Sequence, residues 1–146
     1  MKKITFFLVT VLWISLSFSQ SVQPDPRITE VFGQEKIDQW TINSPDSIIF
    51  YNFVVNYGYK IEPFPKEKME TMKDITPVFT LKPQFSGERS DFSVEGLKNI
   101  NVLKYEFEID SLQMTYYRIG TSTNMFSFYS RAAIMTLIKE GKTSLK

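Results

Sequence analysis

The stretch "SPDSIIFYNFVVNYGYKI", residues 44–61, decides the fold, because eight of the ten residues from Ile48 to Tyr57 are apolar or aromatic. The two exceptions are Asn52 and Asn56. Ten residues are about half of the roughly 20 that a membrane-spanning helix needs, so we do not interpret this run as a membrane segment. It must then lie in the core of a domain, either as a helix or as a strand.

Periodicity alone does not separate these two alternatives for residues 44–57. A helix would place one apolar stripe on one side, formed by Ile49, Phe50, Phe53, Val54 and Tyr57. A strand would place alternate residues on one side, and β-branched and aromatic residues favour strands. The flanks favour a helix, because Ser44 is a typical N-cap, Pro45 suits the first helical position and Gly58 can end it. We therefore predict a core helix.

Cap signals predict two further helical regions. Asp25 and Pro26 begin the first, whose apolar residues follow at mostly helical spacing. Gly33 either kinks that helix or divides it into two pieces. Ser130 is the N-cap of a C-terminal helix, and Gly141 ends it.

Strands are predicted in the second half of the chain. In "NVLKYEFEI", residues 101–109, apolar and charged residues alternate strictly, which is typical of a strand with one face in solvent. The segments "QMTYYRI" and "MFSFYS" flank residues 120–124 and predict a hairpin. Residues 78–82 predict another strand, and "SGERSD", residues 86–91, a loop. Prolines around "KEKMETMKD" indicate a surface connection there, with a short exposed helix as the alternative.

This order predicts one α+β domain over residues 20–146. It has two layers, with N-terminal helices, an antiparallel sheet of three or four strands and a C-terminal helix.

The first 19 residues are predicted to be a secretory signal peptide. Lys2 and Lys3 precede an apolar run that ends in a small-residue cleavage pattern, and we expect cleavage before Gln20. The alternative is an uncleaved anchor in the inner membrane. After cleavage we expect no transmembrane span and an exported location: the periplasm, the outer membrane or the exterior.

Composition excludes several classes of function. Loss of Lys2 and Lys3 leaves 15 basic and 16 acidic residues, a net charge of −1, which argues against nucleic acid as a partner. The chain has no cysteine and no histidine, so thiol nucleophiles, His-dependent triads and nearly all zinc sites are excluded. We predict no cofactor and no metal, and an enzyme only through carboxylates, Tyr, Lys or Arg.

The predicted strands carry two groups of candidate polar ligands. Glu106 and Glu108 would share a strand face, where paired carboxylates bind a cation or act as acid and base, but a solvated strand face is the simpler interpretation. Tyr116 and Arg118 would share another face and could grip a carboxylate. The simpler alternative pairs Arg118 across strands with Glu106 or Glu108.

Aromatic residues are the other candidates. Tyr57 and Tyr59 lie at the end of the central helix and Phe64 lies between two prolines, and exposed aromatic residues of this kind anchor protein interfaces. The simpler interpretation is that each fills the core.

The leader ending "SFSQ", the segment "VFG…SPDSIIFYNFVVNYGYKI" and the distal "YYRIG…FYS" resemble a group of small exported proteins of Bacteroidota, especially of flavobacteria. The resemblance rests on apolar and aromatic positions and assigns no role to any residue. It implies a cell-envelope location and, by association, a part in envelope machinery such as secretion or gliding.

Two functional hypotheses follow. The first is a non-catalytic envelope protein that binds a protein partner through the sheet edge or through Tyr57, Tyr59 and Phe64. The second is a small-ligand binder or carboxylate-dependent hydrolase built on Glu106, Glu108 and Arg118, which requires these three side chains to converge in one pocket.

Overall fold

The computed structural model describes residues 22–142, so the predicted signal peptide lies outside the described residues. The helices there are α1 (Pro26–Phe32), α2 (Gln34–Asn43), α3 (Pro45–Tyr57), α4 (Lys66–Met69), α5 (Val94–Lys98) and α6 (Arg131–Glu140). The strands are β1 (Tyr59–Pro63), β2 (Thr80–Leu81), β3 (Tyr105–Glu106), β4 (Thr115–Arg118) and β5 (Asn124–Phe128). Short 3-10 turns cover Pro83–Phe85 and Val102–Lys104. This order confirms the predicted α+β class with N-terminal helices and a C-terminal helix.

The decisive stretch is a helix, as the flanking residues predicted. Helix α3 begins at Pro45 and ends before Gly58. It packs against α1, α2 and α6, which explains why apolar residues cover most of its circumference. The Ser44 side chain makes no cap hydrogen bond; instead the Ser47 N–H donates to the Ser44 carbonyl oxygen at 2.9 Å.

The two asparagines of α3 attach the N-terminal segment, residues 23–27, to this helix. The Asp25 N–H donates to Asn52 Oδ1 at 2.7 Å, and Asn52 Nδ2 donates to the Gln23 carbonyl oxygen at 2.9 Å. One turn later, Arg27 Nη2 donates to Asn56 Oδ1 at 2.5 Å. The polar interruptions of the apolar run are therefore the positions that attach residues 23–25 and the first turn of α1 to α3.

Gly33 divides the first helical region into α1 and α2. Of the two predicted alternatives, the structure therefore has two separate pieces and not one kinked helix. Its φ of 78° lies in the left-handed region that favours glycine. The Gly33 N–H still donates to the Thr29 carbonyl oxygen at 2.8 Å, so α1 ends with its last turn closed.

The main sheet has three antiparallel strands in the order β1-β5-β4, so the last strand of the chain lies in the centre. The predicted hairpin is confirmed, since β4 and β5 pair with Tyr117 opposite Phe126. Strands β2 and β3 form a separate two-stranded antiparallel sheet. Helix α6 begins after the N-cap Ser130 and ends before Gly141, as predicted.

The prediction of one long strand over residues 101–109 is wrong. Residues 102–104 form a 3-10 turn, and strand pairing covers only Tyr105–Glu106. The turn is fixed locally because Asn101 Oδ1 accepts the Leu103 N–H at 3.2 Å. Lys104 does not face open solvent either: its side chain is 14% exposed and its ammonium lies 2.6 Å from Glu30 and 2.8 Å from Glu88. The alternation still marks which side chains meet solvent, since Glu106 and Glu108 are exposed and Tyr105 is buried, but it comes without a long strand.

Two other segments differ in length from their predictions. The strand expected over residues 78–82 is limited to Thr80–Leu81, because Pro83 begins a 3-10 turn directly afterwards. The connection after β1 contains one short helix, α4, whose last residue Met69 is buried. Within residues 22–142 no helix has the length and apolar character needed to cross a membrane.

Gly96 occupies a position where only glycine fits. A β-carbon there would lie 2.5 Å from the carbonyl oxygen of Asp91, which is backbone and cannot rotate away. The Asp91 side chain is also fixed, because it accepts the Ser93 N–H at 2.9 Å. Helix α5 therefore lies directly against the loop that precedes it.

We expect Gly96→Ala to lower the free energy of unfolding by about 1–3 kcal/mol through this overlap, measured by urea denaturation. Gly87→Ala is the matched control, because a β-carbon at position 87 meets no atom within 4 Å. The control should change stability by no more than about 1 kcal/mol. Equal stability of the two variants would contradict the close approach of α5 and the loop.

Candidate functional site

A cleft of about 360 Å³ opens between the N-terminal helices and the segment that contains β3. We call it the aromatic–cationic cleft. Its lining consists of Phe32, Phe50, Tyr51, Lys82, Val102, Leu103, Tyr105, Phe107, Glu108, Ile109 and Arg131. Helices α1 and α3 supply three of the aromatic side chains, and α6 supplies Arg131 as its first residue.

The wall from α1, α2 and α3 is one continuous aromatic cluster. The Phe32 ring centroid lies 4.9 Å from that of Tyr51 and 5.0 Å from that of Trp40. Trp40 stacks on Tyr51 with ring centroids 5.2 Å apart and an angle of 12° between the rings. Phe50 meets Tyr51 edge-on at 5.3 Å. Each such contact contributes about 0.5–1.5 kcal/mol beyond area burial, so together they stabilise this arrangement of the rings.

Cations lie over the faces of this cluster. Lys82 Nζ is 5.6 Å from the Phe32 centroid, and Arg131 Cζ is 4.7 Å from the Phe50 centroid. Lys36 Nζ lies 5.7 Å from the Trp40 centroid. Aromatic faces attract cations within about 6 Å, so the rings favour these positions, by about 0.5–1 kcal/mol for the exposed residues Lys36 and Arg131.

Neither Lys82 nor Arg131 has an ion-pair partner among residues 22–142. Burial lowers the pKa of the Lys82 ammonium, and the charge of Glu106 acts in the opposite direction. Glu108 is the only carboxylate in the cleft lining, so the lining carries one net positive charge. An anion is the ligand that this arrangement favours.

A second cavity of about 190 Å³ adjoins the cleft. It shares Phe50, Tyr51 and Arg131 with the cleft and adds Trp40, Asp46, Ser47 and Met135. The shared side chains border both cavities, so one extended ligand could enter both.

The predicted polar groups do not come together. Arg118 pairs with Asp74 at 3.6 Å and donates to the Gly120 carbonyl oxygen at 3.3 Å, so the expected cross-strand pair with Glu106 or Glu108 is absent. Arg118 lines a separate cavity of about 190 Å³, whereas Glu108 lines the aromatic–cationic cleft. Glu106 is exposed on β3, opposite Thr80. The geometry gives no support to a pocket built on these three side chains.

The predicted aromatic anchors differ in their surroundings. Tyr57 is 45% exposed and lines an open groove of about 390 Å³. Tyr59 packs on Phe126 with ring centroids 5.0 Å apart, and burial raises its pKa, so it belongs to the edge of the core. Phe64 is half-buried after β1. Tyr116 is 44% exposed, and its hydroxyl lies 3.7 Å from the Met114 sulfur.

The cleft residues were missed by the sequence analysis, although two signals were present. Arg131 is the first residue of α6, where the positive end of the helix favours acidic residues, so a local rule is broken there. Trp40 is the only tryptophan after residue 19. The contributions of Lys82 and Tyr51 depend on long-range packing, and no local pattern marks them.

The part of the chain that the structure describes has no group of three or more acidic residues that could hold a metal ion. Comparison with protein-family models, with curated proteins and with solved structures finds no match to this chain. Any functional conclusion therefore depends on the chain itself.

Proposed function

We propose that the chain is an exported cell-envelope protein that binds a partner protein and catalyses no reaction. The observation that supports this most strongly is the aromatic–cationic cleft, where Lys82 and Arg131 lie over aromatic rings and pair with no carboxylate among residues 22–142. Tryptophan, tyrosine and arginine are the residues that most often dominate binding energy at protein interfaces. The sequence adds a leader typical of export and a side-chain inventory without histidine or cysteine.

The partner is proposed to belong to the envelope, in keeping with the predicted leader and with the resemblance to exported Bacteroidota proteins. An accessory role in secretion or gliding is the corresponding cellular task. Binding rather than turnover accounts for a cleft that contains two cations and one carboxylate but no paired acid and base.

The test uses the full chain with a C-terminal tag, expressed in the cell that encodes it. We expect the processed form, beginning at Gln20, in an envelope or extracellular fraction. We also expect chemical crosslinking to recover the same partner protein in every repeat and not from untagged cells. An unprocessed chain in the cytoplasm, or no reproducible crosslinked partner, would overturn the proposed function.

A further inference from the structure

We propose that the occupant of the aromatic–cationic cleft is an acidic segment of the partner, bound in an extended conformation with an apolar or aromatic side chain beside its carboxylates. This inference rests on the proposed function, because it names the chemistry that the same partner must present. The proposed occupant of the cleft is a peptide and not a lipid or a metabolite.

Half-buried cations of the fold are paired with carboxylates, with one exception in the cleft. Among residues 22–142 five lysines and arginines are half-buried: Arg27, Lys60, Lys82, Lys104 and Arg118. Four of these pair with a carboxylate of the chain, at distances from 2.6 to 3.6 Å. Lys82 is the exception, and it lies in the cleft. A partly desolvated ammonium without a partner is costly, so a carboxylate supplied from outside would gain more here than at an exposed lysine.

The cations are already positioned for such a carboxylate. Phe32 holds Lys82 and Phe50 holds Arg131, and Tyr51 contacts both rings. These contacts favour the positions that the two side chains would hold beside a ligand, which lowers the entropic cost of ordering them on binding. Arg131 can also grip a carboxylate through two N–H groups.

The shape of the site favours a peptide. The cleft and its neighbour measure about 360 and 190 Å³ and share Phe50, Tyr51 and Arg131 in their linings. An extended segment that spans both can place a carboxylate near the cations of the cleft and an apolar side chain beside Trp40 in the neighbouring cavity. Glu108 in the cleft and Asp46 in the neighbouring cavity are the carboxylates that repel a misplaced acidic group, so they help to set the register of the segment.

The test is a selection from a random-sequence peptide library on the processed chain, residues 20–146. We expect the selected peptides to carry aspartate or glutamate next to an aromatic or aliphatic residue. Their affinity is then measured by fluorescence, because Trp40 is the only tryptophan in residues 20–146 and lines the neighbouring cavity. We expect Lys82→Gln with Arg131→Gln to weaken binding at least about 10-fold.

The matched control is Lys68→Gln with Lys139→Gln, which removes the same charge from exposed lysines that line neither cavity. It should bind the selected peptides within about 2-fold of the unsubstituted chain at physiological salt. An equal loss in both double variants means attraction by overall charge alone, and it would overturn the inference. Selection of peptides without acidic residues, or of none, would also overturn it.

Two further outcomes separate this inference from the proposed function. If the envelope partner crosslinks equally to the unsubstituted chain and to the Lys82→Gln, Arg131→Gln variant, the chain binds its partner at a site other than the cleft. This inference then fails, whereas the proposed function does not. If laurate changes Trp40 emission in the unsubstituted chain but not in that variant, and no acidic peptide does so, the cleft is a lipid site and the inference fails.

Discussion

Replacement of Phe79 by alanine is expected to lower the free energy of unfolding by about 3–5 kcal/mol, the range for a fully buried phenylalanine. The Phe79 side chain is 2% exposed and lies just before β2. Its ring centroid is 5.5 Å from those of Phe126 and Tyr117 in the main sheet and 5.7 Å from that of Tyr105 in the small sheet. This ring therefore fills the space between the two sheets, and alanine would leave a cavity there.

A domain of this size is stable by about 5–15 kcal/mol, so this loss is a large fraction of the total. Urea denaturation followed by circular dichroism measures it. Leu112→Ala is the control, because Leu112 is 81% exposed and its loss should change stability by no more than about 0.5 kcal/mol. A difference of under about 1 kcal/mol between the two variants would show that Phe79 does not hold the sheets together.

Helical regions were predictable from the sequence because their signals are local. Asp25, Pro45 and Ser130 each mark a helix start within one or two residues, and the side chains of Asp25 and Ser130 make the expected cap hydrogen bonds. The hairpin of β4 and β5 was predictable for the same reason, since adjacent segments pair across a short loop. In each case the residues that decide the conformation lie next to one another in the chain.

The two-stranded sheet and the cleft could not be predicted in this way. The alternating pattern predicts Lys104 as a solvent-facing strand residue, but its partners Glu30 and Glu88 are 74 and 16 positions away. Likewise Lys82 reaches Phe32, which is 50 positions away, and Arg131 reaches Phe50, 81 positions away. Contacts over such separations are set by how the elements pack, and periodicity in one segment carries no information about them.

The second large effect on the free energy of unfolding is expected from a substitution where the N-terminal segment contacts α3. The Arg27 guanidinium beside Asp25 holds the pKa of that carboxyl at about 2, well below its ordinary value of 3.8. Arg27 Nε and Nη2 donate to Asp25 at 2.9 and 2.8 Å, and Arg27 Nη1 donates to the Val55 carbonyl oxygen at 2.7 Å. The Asp25 side chain is 18% exposed, so solvent screens this pair only partly.

The sign of the pH dependence follows from the lowered pKa. The ionised carboxylate of Asp25 stabilises the folded chain fully above pH 3.8, and this contribution is lost as the pH falls through about 2. Its size is about 2 kcal/mol, from a pKa lowered by nearly two units. Asp25→Asn is therefore expected to lower the free energy of unfolding by about 2 kcal/mol at pH 7. At pH 2 and below the difference from the unsubstituted chain should disappear.

Urea denaturation at a series of pH values between 7 and 2 measures this effect, with Asp38→Asn as the matched control. Asp38 is exposed on α2, and its one side-chain hydrogen bond among residues 22–142 comes from the Gln34 amide, so its loss should cost no more than about 0.5 kcal/mol at any pH. If Asp25→Asn and Asp38→Asn are equally stable at pH 7, the network does not fasten the N-terminal segment.

The same network attaches the residues just before α1 to the domain, because Asn52 and Asn56 bind residues 23–27 directly. Weakening it should thus increase proteolysis before residue 26 first, while α3 remains protected by its packing.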